Sequence, residues 1–170
     1  YGYQNLVSTL PVVPIRRGDY IGDVKYRKEI SKRLRRLGLN EAKTYTLVSP
    51  DMAKLFDYEH KEKVILPNPM SIDKSVVRTS IIPSLLNVYA YNKKRKVKDI
   101  LLYEVAKTYD KSYNEESKIA GLLAGNYISN GWDFSKKVDF YLVKGIVEDL
   151  LDYMGFKNRY SFVKEKVDDL

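Results

Sequence analysis

The residue types that most often perform chemistry are sparse in this sequence, and their neighbours limit what they can do. The one histidine, His60, lies in the charged stretch DYEHKEK, without the apolar shelter that tunes a catalytic imidazole. A surface role follows. With no cysteine and a single histidine, disulfides, thiolate zinc sites and cysteine nucleophiles are excluded, and no metal site is expected. Carboxylates are scattered. Glu104 stands alone in an apolar run between Tyr103 and Val105, while Asp110, Glu115 and Glu116 belong to a polar connection. An isolated acid in such a run either serves a functional site or is held by a salt bridge or an edge position, and the second account is the simpler. Neither a Walker phosphate loop nor a G-x-G-x-x-G fingerprint occurs. Gly121 and Gly125 form G-x-x-x-G inside a strand-like run, where glycine permits close backbone packing rather than phosphate binding.

The other chemistry the sequence offers is positive charge. Residues 25–36 (KYRKEISKRLRR) carry +6 and residues 93–98 (KKRKVK) carry +5, against +8 for the whole chain, so the remainder is slightly acidic. Local clusters of this kind suit polyanions or acidic partner surfaces, and they also keep a helix face wet. Both possibilities stand. Lys32, Arg33, Arg35, Arg36, Lys93, Lys94, Arg95 and Lys96 are the candidate contacts to nucleic acid. The fifteen tyrosines beside these runs could stack on bases, but core and interface packing accounts for them more economically. Trp132, in the turn-rich SNGWDFSKK, is expected to close over the core or an interface.

These residues must be positioned by an ordinary folded domain. The chain has 170 residues and is 44% hydrophobic, which suits one domain with its own core. No apolar run approaches the roughly 20 residues a membrane helix needs, and the start lacks a secretory-signal pattern; a cytoplasmic protein is expected. Residues 1–14, with two prolines and no helical period, read as an extended connector. From Asp23 a helix is predicted on Ile30, Leu34 and Leu37, at i, i+4 and i+7, stopped by Gly38. Basic residues in its last turns also suit the helix dipole. Residues 42–48 read as a strand, Ser49 and Pro50 start a short helix to about Phe56, and residues 64–66 form a short strand before a proline-rich loop. A second helix follows, capped by Thr79 or Ser80 and opened by Pro83, with Ile82, Leu85, Leu86 and Tyr89 on one face.

The apolar runs from Ile100 and from Ile119 are predicted as neighbouring strands covered on both faces, joined by the polar DKSYNEES segment. Asp139 caps a last long helix whose stripe is Phe140, Val143, Val147, Leu150, Leu151 and Met154, ending at Gly155. Residues 160–164 are expected to begin another strand. Adjacent strands with short turns and grouped helices favour an α+β fold with a mostly antiparallel sheet.

Five segments in order resemble the β subunit of bacterial phenylalanyl-tRNA synthetase: YGYQNLVSTLP from Tyr1, LGLNEAKTYTLVSP from Leu37, LPNPMSIDKSVVRTSIIPSLL from Leu66, LLYEVAKTY from Leu101 and VDFYLVKGIVEDLL from Val138. The third is the most specific. The resemblance implies a class II aminoacyl-tRNA synthetase-like fold, an antiparallel sheet flanked by helices. It implies a connector from a preceding small domain over 1–14 and a synthetase-like core over 15–170 that is incomplete at its C-terminal end.

It also implies a catalytically silent module with no catalytic residue and no cofactor of its own. Its parent is an α2β2 enzyme joining phenylalanine to tRNA with ATP and Mg2+. Active class II enzymes place an arginine just after the motif 2 strand to hold the substrate carboxylate and the ATP α-phosphate. Here the strand runs into Asp110, whose charge would repel those anions. The partners implied are the α subunit, a second αβ pair and, through the holoenzyme, tRNA(Phe). Ile30, Leu34, Leu37, Leu85, Leu86 and Tyr89 are the subunit-interface candidates, with Arg78 as an interface or structural ion pair. A tRNA-binding module using the basic clusters is the alternative, and autonomous adenylation is not expected.

Overall fold

The computed structural model of the chain describes residues 2–15, 17–57, 62–128, 132 and 135–164. Apart from one 3-10 turn at Tyr3–Asn5, the described residues before Gly22 form no regular element and are exposed. Helix α1 (Asp23–Arg36) begins after Gly22 and ends where Gly38, at φ +83°, turns the chain through a conformation that disfavours a side chain. Its Ser31 and Leu34 are buried.

The sheet is built around strand β4 (Ile100–Tyr109). On one side β4 pairs in parallel with the two-residue strand β1 (Asn40–Glu41). On the other it forms a ten-pair antiparallel hairpin with β5 (Glu115–Ala124), from Ile100 opposite Ala124 to Tyr109 opposite Glu115. Residues alternate between faces of a strand, so Tyr103 and Val105 meet Leu34 and Leu39 around α1 and Ile146 of α3 (Phe140–Tyr153), with Ile30, Leu37, Leu142 and Leu150 packed against that core. The opposite face turns toward α2 (Ile82–Lys94), whose Leu85 is 1% exposed. Two small ladders complete the framework: β2 (Leu47–Val48) against β3 (Val76–Val77), and β6 (Asn126–Ile128) against β7 (Lys136–Lys137), both antiparallel. The architecture is α+β with mostly antiparallel pairing.

Several local expectations are corrected. Residues 42–48 are not one strand. The chain leaves β1 after the Ala42 N–H bonds the Tyr103 carbonyl at 2.8 Å, and Thr44 then turns its amide and hydroxyl toward Glu104. A ladder cannot use the same groups. The helix expected to reach Phe56 is one 3-10 turn, Met52–Lys54, and the Met52 amide does donate to the Ser49 hydroxyl at 3.3 Å. Residues 64–66 make an isolated bridge, Ile65 to Val76, rather than a strand.

Of the two long strands, β4 is covered on both faces, whereas β5 is the edge of its sheet and its residues stay partly or fully exposed. On α3 the residues packed on the core are Leu142, Ile146 and Leu150; of the expected stripe Leu150 is among them, whereas Phe140 is 71% and Val147 39% exposed. Helical spacing permits either of these adjoining faces, which share Leu150, and the position of α1 turns Leu142 and Ile146 inward. Residues 160–164 form no strand; the Tyr160 hydroxyl instead reaches back 3.0 Å to Asp152. Trp132 is fully exposed and does not close over the core. His60 lies outside the described residues.

Candidate functional site

The acid that sequence singled out, Glu104, sits in the middle of β4 with 3% of its side chain exposed, and its partner is Arg78, equally buried. The guanidinium Nη2 donates to Glu104 Oε1 at 3.0 Å, and Nη1 donates to Thr44 Oγ1 at 2.6 Å. The Thr44 hydroxyl in turn donates to Glu104 Oε2 at 2.7 Å, and the Thr44 amide donates to Oε1 at 3.2 Å. Arg78 Nε and Nη1 also reach the carbonyls of Lys107 and Tyr45, at 3.4 and 3.5 Å. Backbone bonds fix the arrangement from both ends: the Arg78 amide to the Thr46 carbonyl, and the Tyr109 amide to the Arg78 carbonyl. A buried charge is tolerated when paired and fully hydrogen-bonded. Arg78 and Glu104 meet that condition through one another, so neither offers a free charge to a small-molecule substrate.

Asp110 ends β4 as a turn residue. Its carboxylate accepts from the Asn114 amide at 3.0 Å and from the Asn114 side chain at 2.9 Å, closing the hairpin. The position directly after this strand is thus a carboxylate engaged in holding a turn. A cleft of about 370 Å³ lies between the start of α2 (Thr79, Ser80, Ile82) and β5 (Lys118, Ile119, Gly121). Among the described residues no group of three His, Cys, Asp or Glu side chains is arranged to hold a metal ion.

The interface candidates divide. Leu34, Leu85 and Arg78 are buried within the chain at 3%, 1% and 3% exposure, and Ile30 and Leu37 pack on the core beside Leu34. These five support the fold itself. Leu86, at 36% exposure, and the half-buried Tyr89 retain surface on α2. Two exposed hydrophobics the sequence did not single out on the surface, Phe140 and Tyr141, stand together at the start of α3 with their rings edge to face.

The two basic runs also differ. On α1, Arg33 chelates Asp149 of α3, with Nε 2.7 Å from Oδ1, and its guanidinium lies 5.1 Å from the Tyr153 ring. Arg35 pairs with Glu41 at 3.2 Å and Lys32 with Glu29 at 3.9 Å. Tyr153 donates to Glu29 as well, and that hydrogen bond, aided by the charge of Lys32, holds the Glu29 carboxyl below its ordinary value. The run ending α2 has aromatic rather than acidic neighbours: Arg95 lies 3.4 Å from the Tyr91 ring centre and Lys93 5.3 Å from that of Tyr89. Spacing along the sequence cannot reveal Asp149, which is over a hundred residues from Arg33.

The fold is that of class II tRNA synthetases. A pyrrolysyl-tRNA synthetase from Desulfitobacterium hafniense superposes with a TM-score of 0.56 at 14% identity, covering 78% of this chain and 46% of that one. A histidine--tRNA ligase subunit from Alicyclobacillus acidocaldarius gives 0.55 at 14% identity, covering 88% and 43%. Sequence similarity is much closer to phenylalanine--tRNA ligase β subunits: 38% identity over all of this chain for that of Geobacillus kaustophilus, and 37% over 95% for that of Shouchella clausii. The chain spans only 21–22% of the length of those relatives. The family model of the phenylalanyl-tRNA synthetase beta chain CLM domain matches residues 6–170, and the chain belongs to that family.

Proposed function

We propose that this chain is the non-catalytic, synthetase-like core of a phenylalanine--tRNA ligase β subunit. In this reading residues 1–14 connect it to a preceding domain. The core assembles with an α subunit and a second αβ pair into a cytoplasmic α2β2 enzyme that ligates phenylalanine to tRNA(Phe). ATP and Mg2+ are used by that holoenzyme. The observation that carries the reading is the closed Arg78–Glu104–Thr44 network. Adenylation needs a cation presented to a carboxylate and a phosphate, and the arginine of the family's most specific segment is turned inward onto a carboxylate. Asp110 supports the same conclusion, because it stands where a cation would be required and is engaged in the hairpin turn.

The test is phenylalanine-dependent exchange of pyrophosphate into ATP, measured for the β subunit alone and for the αβ complex. Exchange is expected only with α present, and exchange by β alone overturns the reading. For assembly, Leu86→Glu in the β subunit is expected to weaken co-elution with α, since Leu86 and Tyr89 are the interface candidates that keep surface. Unchanged co-elution removes that face.

A second reading is favoured by charge. Thirty Lys and Arg against 22 Asp and Glu, with the excess in two short runs, supports contact with the phosphates of tRNA.

A further inference from the structure

We infer that the RNA contact of this chain is the cationic corner ending α2, and that the carboxylate-paired cations of α1, Lys32, Arg33 and Arg35, take no part in it. The inference rests on the second reading above and decides among its candidate cations. A cation already closed on a carboxylate must give up that pair to bind a phosphate, which offsets part of the gain, most of all where the pair is half-buried as at Arg33. On α1 this applies to Arg33 with Asp149, Arg35 with Glu41 and Lys32 with Glu29, though not to Arg36, for which no carboxylate among the described residues lies within ion-pair distance. At the end of α2, no carboxylate among the described residues lies within ion-pair distance of Lys93, Lys94, Arg95 or Lys96. Their counterions are free to be released to solvent when a phosphate binds, which drives protein–nucleic acid association.

The corner is also built rather than frayed. The amides of Arg95, Lys96 and Val97 donate to the carbonyls of Asn92, Lys93 and Asn92 at 2.9, 2.9 and 3.2 Å, and Lys96 adopts φ +64°. The helix dipole explains a preference for Lys93 and Lys94 in the last turn. It does not account for Arg95 and Lys96, which follow the helix. The Arg95 guanidinium carbon lies 3.4 Å from the centre of the Tyr91 ring, and Tyr91 is 57% exposed beside the cluster. A guanidinium over an exposed phenol ring, next to unpaired lysines, suits a chain of phosphates carrying flat bases.

The test uses the assembled αβ enzyme and fluorescence anisotropy with a labelled tRNA(Phe) transcript across a salt series. Replacing Lys93, Lys94, Arg95 and Lys96 together by Gln is expected to raise the Kd about tenfold or more near 0.1 M salt, and to lower the slope of log affinity against log salt by about 3. Replacing the paired Lys32 and Arg35 together by Gln is expected to change neither. Melting temperature and co-elution with α, read on the same preparations, identify a variant that fails to fold. In that case Tyr91→Ala against Tyr91→Phe replaces it, with weaker binding expected for Ala alone. Loss of binding in the α1 variant but not the α2 variant overturns the assignment and leaves the RNA reading standing. Full binding by both overturns the RNA reading too. An α2 variant that binds tRNA normally but no longer co-elutes with α makes the corner a subunit contact and overturns the inference.

Discussion

Arg78 and Glu104, 26 residues apart, meet at 3.0 Å with both side chains 3% exposed, and Thr44 closes the ring between them. Because the pair is buried, its members do not have independent effects. Arg78→Met leaves Glu104 charged and unpaired in the interior and is expected to cost about 3–5 kcal/mol. The double variant Arg78→Met with Glu104→Leu is expected to recover much of that loss, because neither charge then remains to be desolvated. Urea denaturation of the single and double variants checks this, and additive losses would show that the two residues act separately.

Tyr103 gives a pH-dependent prediction. Burial pushes its phenol above its ordinary value of 10.0, and the hydroxyl donates to the Ser31 carbonyl at 3.1 Å. A folded-state value that is raised means stability complete below pH 10.0 and lost as pH rises through the higher folded value. Tyr103→Phe is expected to cost about 1 kcal/mol at neutral pH, by leaving that carbonyl without its partner. The gap to the parent should then narrow in alkaline solution. Denaturation midpoints at neutral pH and above pH 10 test both parts.

Two glycines should respond in opposite directions. Gly125 has φ +87°, and a Cβ there would lie 2.3 Å from the Lys98 carbonyl oxygen and 3.0 Å from Asp99 Cα, both backbone atoms. Gly125→Ala is expected to destabilise by about 3 kcal/mol or more, combining backbone strain with a contact that cannot relax cheaply. Gly145, inside α3, has nothing within 4 Å of such an atom. Gly145→Ala is expected to stabilise by about 0.5–1 kcal/mol through helix propensity. Thermal melts of the two variants give the signs.

At the start of α3, Asp139 accepts from the Leu142 amide at 2.7 Å. Asp139→Ala is expected to cost about 1 kcal/mol and Asp139→Asn little, since either Asp or Asn can fill the capping position. Equal losses for both would show that charge rather than capping matters there.

Much of the framework is local in origin and is for that reason legible from neighbouring residues in the chain. The stripe of α1, Gly38 and Gly155 as helix stops, Asp139 as a cap and the apolar run of β4 each depend on residues a few positions apart. The order of five family-like segments likewise lies in the chain. Tertiary structure decided what depends on distant neighbours. Glu104 needed Arg78 and Thr44 before its role as one half of a closed ion pair could be read. Residues 42–48 gave up a strand because Thr44 bonds across to β4 instead of along a ladder. The stripe of α3 that faces inward was chosen by the position of α1, since helical periodicity permits either face. The two basic runs, alike in sequence, differ because folding brings Asp149 and Glu41 onto Arg33 and Arg35 of α1 and brings no carboxylate among the described residues within ion-pair distance of residues 93–96. Charge in a sequence is a count, whereas a free charge is a relation between side chains that only the fold creates.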